Sequence, residues 1–277
     1  MRRGSCSYLL AGRFHRLAWV EWGPEDGAPV LCVHGLTRNG RDFDALAMAL
    51  AAQGRRVLCP DLPGRGASDW LPDAALYQPP SYVVALAHLL ARLEGPVDWV
   101  GTSLGGICGM LVAAGPGNPI RRLVLNDVGA RIPAAALQRI GAYLGAAPPL
   151  FPDLAAVEAY LARVHAPFGP GTDFAHLARH SVRDVPGGLA LHYDPAIAAP
   201  FTAAPPGDAD LSAVWALGSA PTLIIRGAES DLLTDADARA MAAKPGARLL
   251  EIAGAGHAPS LMSDAQVQAV QGFLAGG

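Results

Sequence analysis

The chain predicts a mostly parallel, doubly wound α/β sheet with an inserted helical lid. Short apolar runs rich in β-branched residues alternate with Ala-rich helical patterns, as they do when helices cover both faces of a parallel sheet. The alternation stops near Ala130 and resumes at Thr222. A Gly-x-Ser-x-Gly pentapeptide at 101–105 follows one apolar run and opens a helical pattern.

Strands are expected at Arg16 to Trp22, Val30 to His34, Arg56 to Pro60, Val97 to Thr102, Arg122 to Asp127, Thr222 to Arg226 and Arg248 to Ile252. Helices fit at Asp42 to Gln53, Ser81 to Leu93, Leu104 to Ala114, Asp235 to Ala243 and Asp264 to Ala275. Ser81 and Asp264 are the expected N-caps of the second and last of these, because their side chains can accept from a free first-turn amide. Residues 130–211 are richer in Pro, His and aromatics and show helical patterns at Pro152 to His165 and Thr172 to Val182. They form the expected lid, with Ala203 to Gly207 as the connector back. Residues 1–129 and 212–277 make the expected core.

Composition narrows the function classes. At 277 residues, with 51% hydrophobic and 16% charged residues, the chain can bury a sizeable core and is not disordered. A net charge of −3 carries no footprint for nucleic acid or an anionic membrane. No run reaches the roughly 18–20 uncharged apolar residues that span a bilayer. Cys6, Cys32, Cys59 and Cys108 show neither metal-ligand nor redox spacing. Arg13 breaks the apolar run after Tyr8 too early for an export signal. A cytoplasmic protein is expected.

Ser103 is the candidate nucleophile. Glycines at 101 and 105 let the chain turn sharply from strand to helix and push the serine side chain into the open. The amide of Leu104 then lies at a helix N-terminus, where it can stabilise a developing oxyanion. A serine hydroxyl also needs a base, and the base an orienting group. His257 lies in a glycine-containing loop directly after the last expected strand, whereas the other histidines precede Ser103 or fall in the lid. For the orienting acid, Asp231 is favoured because it follows strand Thr222 to Arg226 at the sheet edge where catalytic groups collect. Asp127, which ends the strand after Ser103, and Glu229 are its rivals. Early in the chain, His34-Gly35 closes a strand; Gly35 allows close backbone approach, the Leu36 amide offers a second oxyanion donor, and His34 supports the loop.

These residues, with Asp61 to Ser68 and Gly101 to Gly106, resemble the α/β-hydrolase family over nearly the whole chain. The resemblance implies a Ser–His–Asp triad, a two-amide oxyanion hole, a lid after the sixth family strand and no cofactor. A serine at 103 disfavours the branches that use aspartate there. The resemblance is greatest to the carboxylesterase and lactonase group, which implies a small-molecule ester as partner: small esters, lactones or polyester fragments. Carbon–carbon hydrolases and slow-turnover ligand receptors are the alternatives, although the Leu36 to Gly40 loop departs from the former. Thr102 stands where many relatives carry His or another polar residue.

In the lid, His176 and His180 share a helical face near Asp184 and His192, but no Glu of a catalytic zinc motif accompanies them, so no metal is expected. Phe151, His165, Phe168, His192 and Tyr193 either line a substrate pocket or pack the lid.

Overall fold

The computed structural model describes residues 1–145, 149–202 and 207–276. Eight strands form the central sheet: β1 (Arg2–Leu10), β2 (Arg13–Trp22), β3 (Pro29–Val33), β4 (Arg56–Pro60), β5 (Val97–Thr102), β6 (Ile120–Asn126), β7 (Thr222–Gly227) and β8 (Ala247–Ile252). Their order is β1-β2-β4-β3-β5-β6-β7-β8. From β4 to β8 every pairing is parallel, while β1–β2 and β2–β4 are antiparallel. The chain leaves β3 for β4 on one side and returns to β5 on the other. That reversal opens a crevice at the C-terminal ends of β3 and β5, where open α/β sheets bind ligands.

Side-chain alternation along each strand builds a core on both faces. Leu31 and Val33 of β3, Leu58 of β4 and Trp99 of β5 join one buried cluster. Val30, Cys32, Val57, Cys59 and Val100 join the other. The helices α1 (Asp44–Ala52) and α10 (Asp264–Ala275) cover the second face through Leu46, Leu50, Val270 and Leu274. The first face receives α2 (Pro79–Leu90) and α3 (Leu104–Ala113) through Leu86, Leu89, Cys108 and Met110.

Strand β1 escaped the sequence reading. Its inward residues are only Cys6 and Tyr8 among exposed neighbours, and it forms a hairpin with β2 through Ala11 and Gly12, both at positive φ. Two other expectations are corrected. Helix α2 starts at Pro79 with Gln78 as N-cap, not Ser81, because proline is preorganised for the first helical turn. Helix α10 is capped by Ser263, whose hydroxyl accepts from the Gln266 amide; Asp264 is already in the first turn.

Between β6 and β7 the sheet is interrupted by α4 (Ala134–Gly145), α5 (Leu154–Val164), α6 (Phe174–His180), α7 (Ala199–Thr202) and α8 (Ser212–Leu217). The short strands Val182–Val185 and Gly188–Leu191 pair there too, where only helices were expected. Strand Arg131–Ile132 pairs with Ala209–Asp210 at the base of the excursion. The expected connector falls largely outside the described residues, at 203–206. After β7 comes α9 (Asp235–Ala242), capped by Thr234. Among the described residues, no helix is long and apolar enough to cross a membrane.

The glycines around the β5–α3 turn set its geometry. A Cβ on Gly105 would lie 1.9 Å from the Val33 carbonyl oxygen, and one on Gly101 would lie 2.4 Å from the Gly105 backbone. Gly35 is different: its Cβ would meet Ser103 Cβ at 3.7 Å, an ordinary contact, so the close approach expected there belongs to Gly105. Overpacking of this kind destabilises by about 1–3 kcal/mol or more. Gly105→Ala should therefore lower the denaturation midpoint sharply, whereas Gly35→Ala should fold near wild-type stability. Urea unfolding of the two variants checks this contrast.

Candidate active site

Ser103 sits between β5 and α3 at φ 51°, ψ −114°, a conformation that L residues rarely adopt. The turn is held by its own backbone: the Ser103 amide donates to the Asn126 carbonyl at 2.9 Å, and the Ser103 carbonyl accepts from Gly106 and Ile107 at 2.8 and 3.0 Å. Trp99 Nε1 donates to the Gly105 carbonyl at 3.0 Å from the fully buried core beneath.

His257 Nε2 lies 3.0 Å from Ser103 Oγ. On its other side, His257 Nδ1 lies 2.7 Å from Asp127 Oδ2. An ionised carboxylate only accepts, so the ring proton belongs on Nδ1 and leaves Nε2 free to accept from the serine hydroxyl. Asp127 follows β6 at φ 55° and is fully buried. Its carboxylate also accepts from the Gly227 amide at 2.8 Å and the Ser230 hydroxyl at 2.6 Å. A buried charge is tolerated when its lone pairs are satisfied in this way.

Asp231, the acid favoured from sequence, does not reach His257. In the loop after β7 the Ser230 side chain turns inward to Asp127, so the next side chain turns out to the cavity rim. There Asp231 takes both arms of the Arg139 guanidinium from α4 at 2.6 and 2.8 Å. Glu229 is likewise exposed, its amide donating to the Ala255 carbonyl at 2.8 Å. The rival Asp127 holds the position instead.

The loop after β3 is fixed from two sides. His34 is buried; its Nδ1 donates to the Gly35 carbonyl at 2.6 Å and its Nε2 accepts from the Leu62 amide at 2.9 Å. Burial pushes its imidazole down to about 3, with Arg65 and Arg38 adding to the effect, so His34 remains a neutral bridge. Since a trans peptide points its C=O and N–H in opposite directions, the grip on the Gly35 carbonyl turns the Leu36 amide away from His34. The Leu36 carbonyl accepts in turn from Arg65 Nε at 2.8 Å. At the start of α3 the Ser103 carbonyl points down the helix, so the Leu104 amide, the other expected oxyanion donor, projects from the helix start.

Asn126 is a structural member that sequence reasoning missed. Its Nδ2 donates to Thr102 Oγ1 at 3.0 Å and to the Pro259 carbonyl at 2.8 Å, tying the serine turn to the histidine loop. Its place at the end of β6, beside Asp127, was the available signal.

Ser103, His257, Leu36 and Thr102 border a cavity of about 620 Å³, within the range of roughly 300–1,000 Å³ usual for small-molecule pockets. The opposite wall comes from the segment between β6 and β7: Arg139, Ile140, Tyr143, Val164, His165 and Phe168. Burial pushes the His165 imidazole well below its ordinary range, with Arg38 and His257 adding to the effect. His165 stacks on Phe168 at 4.5 Å. Phe151 and Tyr193 are instead buried core, and His192 borders a separate cleft. His176 and His180 do converge with a carboxylate, Asp44 rather than Asp184, but Arg41 already pairs with Asp44 at 2.9 Å and lies 3.4 Å from His180 Nδ1.

Comparison with known proteins shows the family. Residues 30–270 match the family described as the alpha/beta hydrolase family. The chain is 41% identical over 289 aligned positions to the 3-hydroxybutyrate-oligomer hydrolase of Cupriavidus necator, covering 99% of this chain and 98% of that one. It is 30% identical over 251 positions to the 2-(acetamidomethylene)succinate hydrolase of Mesorhizobium japonicum, covering 90% and 88%. Its structure superposes with a TM-score of 0.86 on an alpha/beta hydrolase from Novosphingobium aromaticivorans, 35% identical over 99% of this chain and 98% of that one.

Losing the carboxylate that orients a catalytic histidine costs about 10⁴-fold in turnover in a well-studied serine protease. Asp127→Asn should therefore cut kcat on p-nitrophenyl butyrate by a comparable factor, and Asp231→Asn should stay within about tenfold of wild type. Initial rates on the two purified variants check the assignment, and the reverse ranking would refute it.

Proposed function

The chain belongs to the alpha/beta-hydrolase family, and we propose that it hydrolyses carboxylic esters through an acyl-enzyme on Ser103. The observation that carries this reading is the unbroken hydrogen-bond chain from Ser103 Oγ through His257 to buried Asp127 at a strained strand-to-helix turn. In the first half-reaction Ser103 Oγ attacks the ester carbonyl while its proton passes to His257 Nε2. The Leu36 and Leu104 amides hold the oxyanion. Collapse breaks the carbonyl–alkoxy bond, and His257 returns the proton to the departing alcohol. Water then attacks the acyl-enzyme with the same base, releasing the acid and restoring the Ser103 hydroxyl.

For the substrate we propose short oligomers of a hydroxyacid such as 3-hydroxybutyrate. The 41%-identical relative is named for that activity, and the cavity offers the surfaces these molecules need. Ile140, Val164 and Phe168 supply apolar wall for methyl-bearing chain units, and Arg139 supplies a guanidinium for a terminal carboxylate. Arg139 and Asp231 are both about half exposed, and exposed ion pairs hold together weakly. A substrate carboxylate can therefore replace Asp231 on the same fork. We take residues 130–211 to act as the lid, because they supply this wall. The four cysteines are all buried and unpaired, the state that a reducing compartment maintains, and on that ground we place the protein in the cytoplasm.

Ser103→Ala should abolish release of monomer from 3-hydroxybutyrate dimer and trimer, read by liquid chromatography, while circular dichroism stays native. Undiminished hydrolysis by that variant would overturn the mechanism. Arg139→Gln should raise KM for the free-acid trimer by about tenfold, the scale of one lost charge-assisted hydrogen bond. It should leave KM for the trimer methyl ester unchanged. Equal effects on both substrates would remove Arg139 from substrate recognition.

A further inference from the structure

Arg65 is fully buried, and among the described residues its guanidinium forms no ion pair. An unpaired buried cation is costly unless its donors are used. Nε and Nη1 of Arg65 are used in this way on the oxyanion side of the proposed site. Nε donates to the Leu36 carbonyl at 2.8 Å, and Nη1 donates to the Pro63 carbonyl at 2.6 Å and to the Tyr82 hydroxyl at 2.9 Å. The guanidinium lies 4.9 Å from the Tyr82 ring centre and 5.7 Å from that of Tyr77, close enough for the ring faces to stabilise the charge. Among the described residues, Nη2 is buried without a partner.

The arrangement clamps one residue from both ends. His34 Nδ1 holds the carbonyl before the Leu36 amide, and Arg65 Nε holds the carbonyl after it. With both flanking peptide planes fixed, the Leu36 N–H cannot swing without breaking a buried hydrogen bond. Preorganisation of this kind is what makes an oxyanion donor effective, since no reorganisation is needed as charge develops.

The backbone carrying Arg65 is itself tied to the segment between β6 and β7. The Gly66 amide donates to the His192 carbonyl at 3.0 Å, and the Asp194 amide donates to the Gly64 carbonyl at 2.8 Å. Tyr77, beneath the guanidinium, donates its hydroxyl to Asp194 at 2.5 Å. The same side chain therefore stands between the proposed lid and the oxyanion loop.

We infer that Arg65 is a positioning residue for ester hydrolysis, acting through Leu36 to hold the oxyanion amide in place. The inference rests on the proposed serine-hydrolase reading. Lysine keeps the buried charge but lacks the planar fork that reaches two carbonyls, so Arg65→Lys and Arg65→Gln together separate charge from geometry.

The test measures kcat and KM on p-nitrophenyl butyrate, the inhibition constant of butylboronic acid, and the melting temperature for both variants, with Ser103→Ala as control. A boronic acid forms a tetrahedral adduct on the serine oxygen and reports on the oxyanion amides. Deleting an oxyanion donor costs about 10²–10³-fold, and a displaced donor should cost roughly 10–100-fold. The expected result is that loss in kcat for Arg65→Lys and Arg65→Gln, with KM within about threefold and boronate affinity falling in parallel with kcat. If Arg65→Gln does not fold, Arg65→Lys carries the test. Folded variants with wild-type kcat and boronate affinity would overturn the inference, as would a lowered melting temperature with unchanged kcat per folded molecule. If Ser103→Ala remains active, the underlying hydrolase reading fails instead.

Discussion

The contact between Gly105 and the Val33 carbonyl decides where Ser103, the proposed nucleophile, stands. A side chain at 105 would put its Cβ 1.9 Å from that oxygen, so α3 can sit against the end of β3 only because position 105 is glycine. That proximity brings the start of α3 beside the loop carrying Leu36. In the same turn Ser103 stands at positive φ. The strain at Ser103 is maintained by backbone bonds to Asn126, Gly106 and Ile107, as expected where a strained residue serves a site.

From that turn the remaining groups are arranged by the ends of neighbouring strands. The loop after β6 brings Asp127, the end of β7 and the loop after it bring Gly227 and Ser230 to hold it, and the loop after β8 brings His257. Parallel strands place all these loops on one edge. The histidine loop is fastened further by the Gly256 amide to Pro167 and the Ser260 amide to Phe168. The segment opposite the serine thus buttresses His257 as well as walling the cavity.

Much of this was legible in the sequence. Strand β4, strand β5 and helix α10 run over the expected residues, because each is bounded by clear turn residues or a capping pattern. Ser103, His257, His34 and the Leu36 loop come to one place, since motif order and strand ends locate them without any side-chain detail. The acid was harder. Asp127 and Asp231 both follow strands at the correct edge, and only the direction of one loop side chain separates them. Ser230 points in and Asp231 points out, a one-residue difference that no spacing rule resolves. Strand β1 was illegible for another reason: only Cys6 and Tyr8 face inward. Arg65 falls within Asp61 to Ser68, and its grip on Leu36 depends on burial that sequence does not display.

Ser103 Oγ is the atom proposed to form the covalent intermediate. Inactivation with a fluorophosphonate, followed by peptide mass mapping, tests this directly. One equivalent of reagent should abolish esterase activity and leave a single adduct on the peptide containing Ser103. Complete inactivation with the adduct on another residue, or full activity with Ser103 modified, would contradict it.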